Sequence, residues 1–189
     1  MAYIAKSFYD LKATTLEGET VDFNIFRGRV VLIENVASII TFSGTVDNLS
    51  SETCSSIRKI AVTTWTLPVL FLQENCENNE ILNSLKYVRP GNGYEPQFTM
   101  FEKCDVNGKD THLVFAYLKD KLPYPNDDAT SFMLYPKYII WSPVHRSDIA
   151  WNFEKFLIGP EGEPFKRYSK KFKTIDIESD IQRLLKLVK

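Results

Sequence analysis

Strand-like and helix-like segments alternate along the 189 residues, and that alternation predicts an α/β fold with a mixed sheet covered on both faces by helices. Three observations carry the prediction. Val30 to Val36 is an apolar, β-branched run interrupted only by Glu34 and Asn35, which suits a central strand buried on both faces that feeds a functional loop at Ala37 and Ser38. Residues 80–88 place Ile81, Leu82, Leu85 and Val88 at helical spacing behind the polar Asn78 and Asn79, and the pattern stops at Pro90-Gly91. The C-terminal segment repeats Ile177, Ile181, Leu184, Leu185 and Val188 as one apolar stripe, which predicts a closing helix.

The remaining elements follow in order. A helix is expected over 111–120, with Thr111 as its cap and Leu113, Val114, Tyr117 and Leu118 as its apolar face. Residues 121–138 contain Pro123, Pro125 and Pro136 and read as a long loop. Strands are expected over 138–141 and 152–158, the second turning through Gly159-Pro160-Glu161-Gly162 into 165–168 as a hairpin. The chain shows no internal repeat, low-complexity tract or interdomain linker, and its length and 44% hydrophobic content suit one domain, 1–189, with a full core.

A formal net charge of −1 gives no overall pull toward nucleic acid or an anionic membrane. No apolar run approaches the roughly 20 residues that span a bilayer, and the N-terminus has no apolar core with a small-residue cleavage site, so the expected location is cytoplasmic. Cys54, Cys76 and Cys104 lack CxxC spacing, and with only His112 and His145 beside them they form no metal-ligand cluster, so free structural thiols and no bound metal are expected.

Four strings carry more specific information: RGRVVLIENVAS over 27–38, QENCENNEILNSLKYVRPGNGYEPQF over 73–98, FEKCDVNGK over 101–109, and WSPVHRSDIAWNFEKFLIGPEGEPFKRYSKKF over 141–172. In order and spacing they resemble the glutathione peroxidases, most closely the cytosolic and gastrointestinal selenium-dependent type. The resemblance implies a thioredoxin-like fold and reduction of hydrogen peroxide and organic hydroperoxides by glutathione, the co-substrate, in the oxidative stress response. In that family a selenocysteine or cysteine at a helix start attacks the peroxide O–O bond, while a Gln, a Trp and an Asn hold the anion and the reacting oxygens. The Trp and Asn match Trp151 and Asn152. Basic residues that take up the glutathione carboxylates match Arg89, and an adjacent Arg pair falls on Lys170 and Lys171, which keep the charge and lose the bidentate fork.

The window 39–72 departs from the family. Ile40 stands in the slot of the selenocysteine or cysteine, and an alkyl side chain neither ionises nor accepts oxygen. The hydroxyls of Thr41 and Ser43 cannot serve as the two-electron reductant. The family's Phe-Pro-Cys-Asn-Gln-Phe-Gly motif is replaced by Thr66-Leu67-Pro68-Val69-Leu70-Phe71-Leu72, so the Gln is missing, and Gly44-Thr45-Val46-Asp47 lacks a further family Arg. Cys54 lies nine residues beyond Thr45, about 13 Å along a helix starting there, too far to substitute. Translated intron beside an unread selenocysteine codon would leave such a window, as would an isoform or a decayed copy. The expectation for this polypeptide is loss of peroxidase turnover. The alternative class is a non-catalytic thioredoxin-fold binding protein. Residues 121–133 resemble a loop carried by tetrameric family members, and Leu122, Tyr124, Phe132 and Met133 offer apolar anchors for a homotetramer.

Overall fold

The computed structural model describes residues 5–36, 57–65 as backbone, 76–88, 90–130 and 139–188. A short hairpin, β1 (Lys12–Thr14) and β2 (Thr20–Asp22), precedes the central strand β3 (Val30–Val36). Then come β4 (Ile57–Trp65), helix α1 (Asn78–Asn83) running into a π-helical turn (Ser84–Val88), β5 (Thr99–Asp105) and helix α2 (Leu113–Lys121). Strands β6 (Lys155–Ile158) and β7 (Pro164–Tyr168) and helix α3 (Glu178–Leu185) complete the chain. The sheet runs β5-β4-β3-β6-β7, parallel from β3 to β5 and antiparallel across β6 and β7. The mixed sheet read from the sequence is present.

Every residue of β3 is buried, and its period-two alternation divides the core. Val31 and Ile33 join Phe8, Phe23, Phe101, Phe115 and Phe156 on the α2 side. Val30 and Leu32 join Leu157, Tyr168, Ile177, Ile181 and Leu184 on the α3 side. A third cluster gathers Val36, Cys76, Ile81, Leu85 and Met100 under α1. Layers on both faces are what a parallel strand with a continuous apolar run requires.

Several boundaries differ from the sequence reading. Helix α2 starts at Leu113, and its cap is His112, whose Nδ1 accepts from the Val114 N–H at 3.3 Å. Thr111 instead donates through Oγ1 to the Gly108 carbonyl at 2.7 Å. The helix over 80–88 begins earlier, at Asn78, because the Glu80 carboxylate reaches back to the Glu77 N–H at 2.9 Å. No strand forms at 139–141, the described part of the expected 138–141 strand. There the Trp141 indole donates to Asp148 Oδ2 at 2.7 Å, and the Ser142 carbonyl accepts from the Lys109 N–H at 3.0 Å, so these groups are spent on loop contacts outside the sheet. The strand expected from 152 starts at Lys155, because Phe153 has φ +70° and breaks the extended path. The stripe on α3 ends early, since Val188 is 42% exposed.

The loop after α2 is fastened to the sheet over its described residues. Asp127 accepts from the Ser169 N–H at 2.8 Å and its hydroxyl at 2.6 Å, and the Asn126 N–H donates to the Arg167 carbonyl at 2.8 Å. Leu122, expected as an anchor for another subunit, packs against the chain's own core, and Tyr124 lies under the Arg146 guanidinium at 5.4 Å. Phe132 and Met133 lie outside the described residues.

Candidate active site at the carboxyl end of the central strand

Strand register alone collects the candidate site. Val36 pairs with Thr63 in the parallel ladder, and Glu34 pairs with Lys155 in the antiparallel one. The carboxyl ends of β3 and β4 and the amino end of β6 therefore lie at one end of the sheet, where α/β proteins of this kind place their ligands. The segment 151–154 enters β6 at that end. Ile40 follows Val36 by four residues in sequence, and both it and Arg89 lie outside the described residues.

Asn35 ties the segment to β3. Its Nδ2 donates to the Trp151 carbonyl at 3.0 Å, and its Oδ1 accepts from the Glu154 N–H at 2.9 Å. The backbone adds two bonds, Phe153 N–H to the Asn35 carbonyl at 2.6 Å and Asn35 N–H to the Glu154 carbonyl at 3.2 Å. Glu154 closes the turn from the other side, Oε1 accepting from the Ala150 N–H at 2.7 Å. Asn152 is 2% exposed, whereas Trp151 is half-buried.

Lys170 joins this pair. Its ammonium lies 4.4 Å from the centroid of the Trp151 ring, within cation–π range. Burial lowers the Lys170 pKa, the Lys171 charge adds to the effect, and Glu154 and Asp128 oppose it. Lys171 is exposed and lies 3.6 Å from Asp128 Oδ2 on the loop after α2. The structure thus brings Trp151, Asn152 and Lys170 together and sets Lys171 beside them with a carboxylate partner.

Behind the site lies a buried charge network that sequence reading missed. Arg167, 1% exposed, places Nη2 at 2.7 Å and Nε at 2.8 Å from Glu154 Oε2. Its remaining donors reach the carbonyls of Leu122, Pro123, Ser147 and Asp148. Burial raises the Glu154 pKa, with the Arg167 charge opposing it. Lys155 stands 3.7 Å from Glu34, and burial lowers its pKa against the pull of that carboxylate. Lys119 bonds Asp148 Oδ1 and Asn107 Oδ1, each at 3.1 Å. The one available signal for this network was Glu34-Asn35, two polar residues inside a buried strand.

The described thiols offer no evident replacement nucleophile. Burial, followed by the charges of Asp105 and Glu102, pushes the Cys104 thiol up to about 12, which keeps it protonated and unreactive. Cys76 is buried in the α1 cluster with Sγ 2.9 Å from Ser84 Oγ. Cys54 lies outside the described residues. Among the described residues no group of His, Cys, Asp and Glu is arranged to hold a metal ion, and no helix is long and apolar enough to cross a membrane.

The comparisons with known proteins agree with this geometry. Over 188 residues the chain is 64% identical to glutathione peroxidase 2 of Sapajus apella and of Homo sapiens, covering 99% of both chains in each case. The mouse protein of the same name is 63% identical over the same length. Among solved structures, the apo crystal structure of Trgpx superposes with a TM-score of 0.64 at 22% identity, covering 96% of this chain and 97% of that one. T. cruzi GPX1 gives a TM-score of 0.59 at 22% identity with the same coverage. These two likenesses show the thioredoxin-like α/β fold. The family model for glutathione peroxidase matches residues 8–119, and with the identity along the whole chain it establishes that this protein belongs to the glutathione peroxidase family.

Proposed function

We propose that this chain carries the scaffold for glutathione-dependent reduction of hydrogen peroxide and organic hydroperoxides, and that the polypeptide as written does not turn over because Ile40 occupies the nucleophile slot. The observation that carries the reading is the Trp151-Asn152 pair, held by Asn35 at the carboxyl end of β3 with the Lys170 ammonium on the indole face. Indole and carboxamide donors placed there suit an anion forming on a residue just after β3, and Lys170 and Lys171 supply positive charge for the carboxylates of glutathione. Arg89 is assigned to the same carboxylate-binding set on its family match. An isoleucine can neither lose a proton nor take an oxygen atom from a peroxide, so the retained donors have no anion to stabilise. Selenocysteine belongs in that slot in the form of the protein that is active.

Two substitutions of different scale test the reading. Ile40→Cys restores little, because the Gln and the following Arg are also missing, whereas replacing 39–72 by a family segment bearing the nucleophile restores glutathione-dependent peroxide consumption. Equal recovery by the single substitution would overturn the view that the whole window is foreign.

The second reading, a non-catalytic thioredoxin-fold module that binds glutathione, is favoured by Ile40 together with the retained Lys170 and Trp151. Glutathione binding measured by calorimetry without turnover would select it. We place the protein in the cytoplasm and assemble it as a homotetramer through the loop after α2. The exposed Tyr124 supports that assignment, and Leu122 does not, since it is used internally. Light scattering reads the oligomer directly.

A further inference from the structure

We propose that Asn35 is the positioning residue for the Trp151-Asn152 pair, its carboxamide fixing the turn from which both side chains project. This rests on the reading of Trp151 and Asn152 as the retained part of the family site. A buried strand tolerates a carboxamide only when both ends are bonded, and both ends of Asn35 are spent on this turn: Nδ2 on the Trp151 carbonyl at 3.0 Å and Oδ1 on the Glu154 N–H at 2.9 Å. The two bonds flank Asn152 and Phe153. Between them Phe153 takes φ +70°, a conformation unfavourable for a phenylalanine, which persists only where the surroundings impose it. The Asn35 backbone holds Phe153 and Glu154 by ladder bonds at 2.6 and 3.2 Å, but those bonds leave the Trp151 carbonyl untouched. The carboxamide therefore does what no other aliphatic or acidic side chain of that size can, because it donates to one side of the turn and accepts from the other.

The test uses the full-length chain labelled with 5-fluorotryptophan, which places one fluorine resonance on each of Trp65, Trp141 and Trp151, assigned by single Trp→Phe variants. Asn35→Asp keeps the volume and the acceptor and loses the donor, and Asn35→Leu loses both. Each is expected to shift or split the Trp151 resonance while that of Trp141, anchored separately on Asp148, stays in place. Ile33→Val, on the same strand and in the core, loosens packing without touching the turn and is expected to leave Trp151 where it is. A Trp151 resonance unmoved in Asn35→Asp with Trp141 in its native position overturns the proposal, as does an equal displacement by Ile33→Val. Should Asn35→Leu fail to fold, Asn35→Asp decides. The resonance is independent of turnover, so an inactive protein answers the question equally well.

Discussion

Removing the Arg167 guanidinium should cost more than any other single change outside the apolar core. In Arg167→Met the stem survives, but Glu154 loses the cation at 2.7 Å, and the carbonyls of Leu122, Pro123, Ser147 and Asp148 lose their donors. Breaking a buried ion pair from one side costs about 3–5 kcal/mol, and a carbonyl that stays dry and unpaired adds about 1–3 kcal/mol. Water reaching the loosened loop would satisfy some of those carbonyls, which sets the expected loss at about 4–5 kcal/mol. A domain stable by about 5–15 kcal/mol then loses about a quarter or more of its stability. Urea unfolding reads the change: with a slope of about 2 kcal/mol per molar, the midpoint falls by about 2 M. Burial already holds the Glu154 carboxyl above its ordinary range, and without Arg167 it rises further. The folded variant then binds a proton that the unfolded chain releases, so its stability falls as pH rises from the ordinary carboxylate range through the raised folded value, and the loss grows in that direction. Adding Glu154→Leu removes the stranded charge and should recover part of the midpoint. A midpoint shift below about 0.5 M, or a double variant no better than the single one, would refute the reasoning.

Two further outcomes follow from particular contacts. Gly162 has φ +82°, and a Cβ there would stand 2.6 Å from Tyr9 Cε2, in a ring fixed by its own hydroxyl bond to the Pro160 carbonyl. Gly162→Ala should therefore cost about 1–3 kcal/mol, several degrees of melting temperature, and a neutral effect would mean that Tyr9 moves freely. At Lys170, burial and then the Lys171 charge favour the neutral amine, so the proton leaves below the ordinary lysine value of 10.5. Between that lowered value and 10.5 the unfolded chain holds more protons, so this group's contribution to stability rises with pH across the window. The indole fluorescence of Trp151 should change over the same window and lose that step in Lys170→Gln; a step surviving in the variant would assign it to another group.

Local periodicity made β3, β6 and β7 legible, left β4 and β5 unassigned, and left the charge network hidden. The run from Val30 to Val36 could be assigned because a strand buried on both faces needs an unbroken apolar pattern. The apolar stripe of α3 likewise survived as far as Leu185, which packs partly buried against the same cluster. The strand expected at 138–141 does not form over its described residues, 139–141, although they carry strand propensity; the Trp141 indole is committed to Asp148, a loop contact that propensity cannot register. Thr111 was a reasonable cap by type, but the chain turns one residue later and His112 takes the role. Trp151 and Asn152 were readable from their string, whereas Asn35, Arg167 and Asp127 act through partners far away in sequence. Asn35 and Trp151 are 116 residues apart. Nothing local to a single Asn or Arg marks such a role, and only the polar interruption of β3 hinted at it.

The family scaffold is present, and the proposal built on it is that Ile40 leaves this polypeptide without the nucleophile. Glutathione-dependent consumption of hydrogen peroxide by the purified, unaltered chain, followed through oxidation of a coupled nicotinamide cofactor, tests it most directly. The account predicts no enzyme-dependent rate above the uncatalysed reaction of glutathione with peroxide. A rate within about tenfold of a selenium-dependent relative would show that another group takes the oxygen atom and would contradict the assignment of Ile40 as a vacated nucleophile slot.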